Sequence, residues 1–182
     1  MNLQEQLEQV TAARVSRYNN ALYILKHPEL FEELSILCFS SDKKMATKAS
    51  WVFEFVCKEK IALLEPYCDY YIEHLPRVTH DSIKRPLSRI LLVLLEKLKK
   101  DNSITKYLNK SQEQQIIEMS FDWLIGDEKV AIKCYCMRIL FLLGKNYDWV
   151  HPELKLILEQ NIAAHSPAYK AAAKDILKKM HL

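Results

Sequence analysis

Basic residues that recur along the chain are the side chains whose type and spacing first suggest chemistry. They are Lys48, Arg85, Lys133 and Lys170, which follow one another at intervals of 37, 48 and 37 residues. Ammonium and guanidinium groups bind carboxylates and phosphates through charge-assisted hydrogen bonds, so the recurrence predicts a row of cations that contacts an anionic partner. A structural role stays open beside it, in which these residues bond turn aspartates of neighbouring segments. The candidate aspartates are Asp42, Asp81 and Asp127.

Five further residues complete the set of candidate binding residues. Three are basic and lie near the middle of predicted helices, and two are aromatic: Arg89, Arg138, Lys174, Trp51 and Tyr135. Many lysines stand near the C-terminus of a helix because they interact favourably with its carbonyl groups. Cations in the middle of a helix lack this interaction. An aromatic ring beside a basic row can stack on a nucleic-acid base. Core packing is the stronger explanation for any single tryptophan, and both roles stay open.

No catalytic, metal-binding or cofactor-binding motif is recognisable in the sequence. Only two glycines are present, Gly126 and Gly144, which excludes the Gly-rich loops that cradle nucleotide phosphates. Cys134 and Cys136 are two positions apart on a predicted helix, so they point to different faces and are poorly placed to share a metal ion. Neither zinc-type His motifs nor a serine-nucleophile motif occurs. We therefore expect no cofactor, no metal and, on balance, no enzymatic activity.

Composition and the N-terminal segment predict the compartment. Of the 182 residues, 49% are hydrophobic and 27% are charged, which are ordinary values for a globular protein. The five cysteines are an odd number, and the polar first segment lacks the apolar stretch of a signal peptide. The longest apolar run, residues 90–95, is too short to span a bilayer. We therefore expect a cytoplasmic protein with reduced thiols and no membrane segment.

Helical signals run through the whole sequence and predict an all-α fold. Residues that suit the N-terminal cap of a helix recur before apolar stretches, and Ser111 is predicted to form a capping box with Gln114. They are Ser41 or Asp42, then Asp81, Ser111, Asp127 and Ser166. Pro28 and Pro152 stand where a helix is predicted to begin. Pro86 falls near the first turn of its helix, where we expect a mild distortion rather than a break. Residues 61–75 are predicted to form one helix.

The predicted helices form pairs that repeat. A small residue stands two positions before the basic one in Ala46-Thr-Lys48, Ala131-Ile-Lys133 and Ala168-Tyr-Lys170. This pattern and its period resemble the two-helix HEAT and armadillo repeats, which are about 40 to 47 residues long. The resemblance implies a right-handed α-α superhelix, a HEAT/armadillo-like solenoid of about four helix pairs with an N-terminal helical cap. We predict a single domain over residues 1–182, with the cap at 1–27 and repeats at 28–60, 61–104, 111–147 and 152–182.

Charge separates between the first and the second helices of the predicted pairs. The first helices carry a summed charge of −10 over residues 28–39, 61–75, 112–125 and 152–163. The second helices carry +14 over residues 43–58, 82–100, 128–145 and 168–181. Second helices usually line the concave face of HEAT-like solenoids, so the resemblance implies a basic concave face. Such a face attracts an anionic macromolecule, either an acidic protein surface or a nucleic acid.

Three segments resemble the short bacterial helical-repeat proteins that sometimes carry the label adenylosuccinate lyase. They are Lys48-Ala-Ser-Trp-Val-Phe-Glu-Phe-Val-Cys-Lys-Glu59, residues 121–130 and residues 147–160. The resemblance implies the HEAT-like architecture. Adenylosuccinate lyases themselves carry a Ser-Ser-x-Met-Pro-x-Lys-x-Asn loop. Here Ser40-Ser41 is followed by Asp42-Lys-Lys-Met-Ala46, without the proline or the asparagine, so no catalytic residue of that enzyme is carried over.

A looser resemblance connects the segment Ala46-Thr-Lys-Ala-Ser-Trp-Val52 to the alkylpurine DNA glycosylases of the HEAT-like class. Those enzymes combine a basic concave face with tryptophans and an acid. Their Trp-Asp-x-Val-Asp type of catalytic stretch is missing, because Asp122-Trp123 and Asp148-Trp149 have the reverse order.

These observations predict a non-enzymatic helical-repeat binding module whose basic face captures an acidic protein or a nucleic acid. The alternative is a DNA-binding enzyme of the glycosylase type, and a lyase is the weaker enzymatic alternative. In a third interpretation the acidic face contacts a protein partner and the basic helices are solvated. The oligomeric state stays open.

Overall fold

The computed structural model describes residues 2–162 and 165–180. Within these ranges the regular structure is helical and no β-strand occurs. The α-helices are α1 (Leu3–Glu8), α2 (Arg14–Lys26), α3 (Phe31–Leu37), α4 (Lys43–Glu59), α5 (Cys68–His74), α6 (Asp81–Lys100), α7 (Ile104–Tyr107), α8 (Lys110–Ile125), α9 (Val130–Leu143), α10 (Val150–Asn161) and α11 (Pro167–Met180). Short 3₁₀ helices cover Pro28–Leu30, Ile61–Tyr67 and Leu75–Arg77. The prediction of an all-α fold is confirmed.

The chain divides into two compact units, Met1–Lys97 and Leu98–Leu182. In the first unit α4 is the central helix and packs against α1, α2 and α3. Asp42 caps α4 as predicted, because its carboxylate accepts hydrogen bonds from the backbone N–H groups of Lys44 and Met45 at 2.8 and 3.2 Å. An aromatic cluster joins three helices of this unit: the ring centroids of Phe31 and Phe53 lie 5.2 Å apart, and those of Phe53 and Tyr71 lie 6.2 Å apart.

Prolines shape the helices of the first unit. The prediction of one helix over residues 61–75 is wrong: Ile61–Tyr67 is a 3₁₀ helix and α5 follows it. Pro66 lies inside the 3₁₀ segment, where its missing N–H and its ring disfavour α-helical hydrogen bonding to the preceding turn. Pro86, by contrast, is accommodated in α6, which continues from Asp81 to Lys100 without a break, as predicted.

In the second unit α9 is the central helix and packs against α8, α10 and α11. The capping box of α8 is formed by Asn109 and Gln112, with hydrogen bonds of 3.0 and 2.9 Å, so the prediction that placed it at Ser111 and Gln114 is wrong by two residues. The prediction that Asp127 caps the next helix is also wrong, because α9 begins at Val130, directly after Lys129.

The predicted cap of the last helix is confirmed. The backbone N–H of Tyr169 donates to the hydroxyl of Ser166 at 3.4 Å, and Pro167 is the first residue of α11. Pro167 suits that position because the first residue of a helix needs no N–H donor.

All five cysteines are free thiols, and four of them are buried. Burial raises the pKa of Cys38 and of Cys57 well above the usual thiol range. Burial, followed by the charge of the nearby Glu65, raises the pKa of Cys68 to about 12. These thiols therefore stay protonated near neutral pH and pack as small apolar side chains.

The close approach of the His151 side chain requires a glycine at position 144. A Cβ atom at this position would lie 2.3 Å from Cδ2 of His151. The imidazole is held in place, because Nε2 of His151 lies 3.0 Å from the carbonyl oxygen of Phe141 and the two rings stack at 5.4 Å. We expect Gly144→Ala to lower the free energy of unfolding by about 1 to 3 kcal/mol, the usual range for overpacking. Urea denaturation measures this change, and an unchanged midpoint would show that His151 moves aside without cost.

In the ranges that the structure describes, no helix combines the length and the apolar character needed to cross a membrane.

Candidate anion-binding site

A cleft of about 270 Å³ in the first unit brings together five basic side chains from three helices. We call it the arginine cleft and define it by its lining residues: Arg14, Arg17, Glu54, Phe55, Lys58, Arg85 and Arg89. Five of the seven side chains are basic and one is acidic. The arginine cleft is therefore a site of net positive charge.

Three helices position these side chains, and helical spacing explains each group. Arg85 and Arg89 are four residues apart on α6, so both project from one face of that helix. Glu54 and Lys58 have the same spacing on α4. The helix α2, which packs against α4, supplies Arg14 and Arg17. The cleft therefore forms where the basic face of α6 and the start of α2 meet the middle of α4.

Glu54 is the buried carboxylate on which the cleft is built. Its residue is only 4% exposed, and each of its two oxygens faces one guanidinium. Nη1 of Arg89 donates to Oε1 at 3.3 Å, and Nη2 of Arg85 lies 3.7 Å from Oε2. The side chains of Arg85 and Arg89 remain 40% and 37% exposed. Because a guanidinium has five N–H donors, both arginines keep donors for a second anion.

The aromatic wall of the cleft holds two further cations. Cζ of Arg17 lies 5.6 Å from the ring centroids of both Trp51 and Phe55, and Nζ of Lys58 lies 5.6 Å from that of Phe55. These are cation–π distances, which fix the charged groups over the rings. Nε of Arg17 is buried, and within the described ranges it has no hydrogen-bond partner. Trp51, which the sequence predicts as a contact residue, thus lies against a guanidinium.

The other predicted cation of the first unit, Lys48, has a structural contact. Its ammonium group donates to the backbone carbonyl of Glu8, the last residue of α1. Carbonyl groups at a helix C-terminus attract cations, so this bond ties α4 to α1. The observed partner is a helix-end carbonyl rather than one of the turn aspartates considered from the sequence.

The five remaining predicted residues lie in the second unit, on α9 and α11. They differ in exposure: Lys133 is buried, Tyr135 and Lys170 are half-buried, and Arg138 and Lys174 are exposed. Partial burial, and then the charge of the nearby Lys133, lower the pKa of His165. The pKa of Asp175 is also lowered, chiefly by the hydrogen bond from Lys179 and further by the charges of Lys179 and Arg138. Arg138 therefore has an acidic neighbour on α11.

The sequence pattern identifies only two of the seven residues that line the arginine cleft, Arg85 and Arg89. Arg14 and Arg17 fall in the predicted N-terminal cap, and Glu54 enters the sequence analysis only through the summed charge of its helix. One signal was present: Glu54 is the single acid among the basic residues of 43–58, and it stands in the middle of the helix. A lone acid in a basic helix indicates a built-in partner for cations from another element.

Within residues 2–162 and 165–180, no three His, Cys, Asp or Glu side chains are grouped so as to hold a metal ion.

Paired helices packed in sequence order, with caps at their turns, define a helical-repeat scaffold protein. The family model that matches the chain is described as the HEAT repeat domain, and it covers residues 3–180. The chain therefore belongs to the HEAT repeat domain family, and the prediction of a HEAT-like helical-repeat solenoid is confirmed. Comparison with curated proteins and with solved structures found no match.

Proposed function

We propose that this HEAT repeat protein is a non-catalytic binding module that holds an acidic segment of a protein partner in the arginine cleft. The observation that carries the proposal is that five cations from three helices line one cleft whose single acid, Glu54, is buried and already paired with two of them. That excess of cations over acids leaves positive charge without an internal counterion. An anionic partner supplies the missing charge.

The chemistry of the cleft favours carboxylates as the ligand. Arg85 and Arg89 already hold the carboxylate of Glu54 with one guanidinium on each oxygen. Their outward N–H groups, with the exposed Arg14 and Lys58, are suited to a second carboxylate. At about 270 Å³ the cleft takes one or two acidic side chains rather than a long stretch of backbone.

A nucleic acid is the less favoured partner for the same site. Binding of single strands relies on aromatic rings that stack on bases as well as on basic side chains. Arg17 lies over the ring of Phe55, which lines the cleft, and over that of Trp51 beside it. The predicted glycosylase-type activity needs a carboxylate that is available for catalysis, whereas Glu54 is buried and engaged by two arginines.

In the second unit, the exposed cations of α9 and α11 provide a further contact for an acidic stretch in this proposal. Arg138 and Lys174 are the exposed members of the predicted set, and Lys170 and Tyr135 are half-buried. Exposed charges at the rim of an interface act mainly on the association rate and on its salt dependence. We therefore assign the larger share of the affinity to the arginine cleft.

Reversing two exposed charges of the cleft tests the proposal. The variant is Arg14→Glu/Lys58→Glu, and the ligand is a fluorescein-labelled peptide of alternating Glu and Ser. We expect the wild-type protein to bind the peptide and the variant to bind about tenfold to thirtyfold more weakly, because two attractions become repulsions. Fluorescence anisotropy across a salt titration measures the affinity, and circular dichroism checks that the helices are intact.

The matched control is Lys26→Glu/Lys60→Glu, which changes the net charge equally at exposed positions outside the cleft. We expect it to alter the affinity by no more than about twofold near physiological salt, where distant charges are screened. Equal losses of affinity in both variants would show that only the net charge matters, and this result would contradict the proposal.

Mixed-sequence single- and double-stranded DNA serve as competing ligands. Tighter binding of DNA than of the peptide, lost in the cleft variant, would assign the cleft to nucleic acid instead.

A further inference from the structure

The first unit contains a second and larger cavity, of about 530 Å³, at the N-terminal ends of α4 and α6. It lies between the segments 38–43 and 74–83 and shares no lining residue with the arginine cleft. We call it the turn pocket. Its volume falls within the range of about 300 to 1,000 Å³ that is usual for small-molecule sites.

Two permanent cations line the turn pocket. Lys43 is exposed at the first position of α4. Nη2 of Arg77 lies 3.1 Å from Oε1 of Glu73, but both side chains are more than 60% exposed, at 66% and 63%. Such an exposed pair contributes little energy, so Arg77 can exchange this partner for a ligand at small cost. The carboxylate of Asp42, beside Lys43, is engaged by the backbone N–H groups that it caps.

Two imidazoles and a hydroxyl add directional groups to the pocket. Nδ1 of His80 is buried and has no hydrogen-bond partner within the described residues. Nδ1 of His74 lies 2.8 Å from the carbonyl oxygen of Tyr70, which fixes the orientation of that ring. The hydroxyl of Ser40 accepts from the backbone N–H of Asp42 at 3.1 Å, so its own proton remains for another acceptor. The side chains of His74, His80 and Ser40 therefore add polar groups to the two cations that line the pocket.

One wall of the turn pocket is apolar. Phe39 and Ile83 line it, and the ring centroid of Phe39 lies 5.6 Å from that of His74. A flat, apolar ligand body can pack on this wall while its charged end meets the cations.

We propose that the turn pocket binds a small phosphate monoester with an aromatic body. The phosphate lies with Lys43 and Arg77, and the aromatic body packs on the wall at Phe39. A phosphate monoester carries close to two negative charges at neutral pH, since its second pKa is about 6, and it therefore matches two cations better than a single carboxylate does. Its free oxygens accept from the Ser40 hydroxyl, and His80 lines the same cavity.

Isothermal titration calorimetry with phenyl phosphate on the full chain tests this proposal. The variant Lys43→Gln/Arg77→Gln removes both cations at exposed positions, and removal of a cation from the first turn of α4 does not weaken that helix. We expect the variant to bind phenyl phosphate about tenfold more weakly or worse. The control Lys26→Gln/Lys60→Gln, which changes the net charge equally outside the pocket, is expected to bind as the wild type does. In the wild type, the imidazole ¹⁵N resonances of His80 are expected to shift on binding.

Two comparison ligands test separately the role of the apolar wall and the choice of phosphate. Inorganic phosphate is expected to bind more weakly than phenyl phosphate, because it lacks the aromatic body, and benzoate is expected to bind more weakly because it carries one charge. Equal affinity for inorganic phosphate would overturn the assignment of the apolar wall. Equal affinity for benzoate would overturn the choice of phosphate. The proposal as a whole would be overturned if phenyl phosphate failed to bind at millimolar concentration, or if the pocket variant bound it as tightly as the wild type. These results are independent of the arginine cleft, which shares no lining residue with the turn pocket.

Discussion

Replacing both Arg85 and Arg89 by glutamine is expected to lower the free energy of unfolding by about 2 to 3 kcal/mol. The substitution leaves the carboxylate of Glu54, which is only 4% exposed, without either cation. Breaking a buried ion pair by removing one side usually costs about 3 to 5 kcal/mol. The expected loss of about 2 to 3 kcal/mol is smaller than this usual cost because the two arginine side chains are 40% and 37% exposed, so solvent already screens part of their interaction with Glu54.

Urea denaturation followed by circular dichroism measures this loss, and hydrogen exchange of the α4 amides locates it. The triple variant that adds Glu54→Gln is expected to recover part of the stability, since it removes the unpaired charge. The control Lys26→Gln/Lys60→Gln removes two exposed cations that lie at helix C-termini, and it is expected to change the stability by about 1 kcal/mol or less. A double variant as stable as the wild type would show that water reaches Glu54, and it would remove the basis for treating that carboxylate as the centre of the cleft.

Removing the ring of Phe53 is expected to have the largest effect on stability, about 3 to 5 kcal/mol for Phe53→Ala. Phe53 is fully buried at 0% exposure, and its ring contacts those of Phe31 and Tyr71. The hydroxyl of Tyr71 in turn donates to the backbone carbonyl of Leu87 on α6. A cavity at Phe53 therefore loosens the contacts that hold α3, α4, α5 and α6 together.

The same substitution is expected to weaken acidic-peptide binding, although Phe53 does not line the arginine cleft. Two of the three helices of the cleft, α4 and α6, depend on the aromatic cluster for their relative position. Phe53→Leu is the control, because it keeps most of the volume and is expected to cost no more than about 1.5 kcal/mol. Urea denaturation compares the two variants. A loss below about 1 kcal/mol in Phe53→Ala would show that the neighbouring side chains fill the space.

Local chemistry explains which features of the fold could be predicted from the sequence. Asp42 and Ser166 cap their helices as predicted because each satisfies N–H groups two or three residues away. The helical periodicity and the scarcity of glycine likewise indicated an all-α repeat fold. For α8, Asn109 and Ser111 are both competent caps, two residues apart, and only packing decides between them.

The candidate site also contains a part that the sequence predicts and a part that it does not. The spacing of Arg85 and Arg89 places both on one face of a helix, which the 3.6-residue period determines. By contrast, Glu54 lies 35 residues before Arg89, and Arg17 comes from a segment without a recognisable repeat pattern. Their contacts depend on how α2, α4 and α6 pack, which involves many apolar side chains at once.

The sequence by itself therefore determined the class of fold, the helix faces and the sign of their charge, because these depend on residues within a few positions of one another. Only the tertiary structure decided which cations have an internal partner. Lys48 is bonded to a helix end, Lys133 is buried, and Arg85 and Arg89 share a buried carboxylate. The physical reason is the short range of these contacts. A charge-assisted hydrogen bond needs its two groups within about 3 Å, and the distance between residues on different helices is determined by the packing of the core.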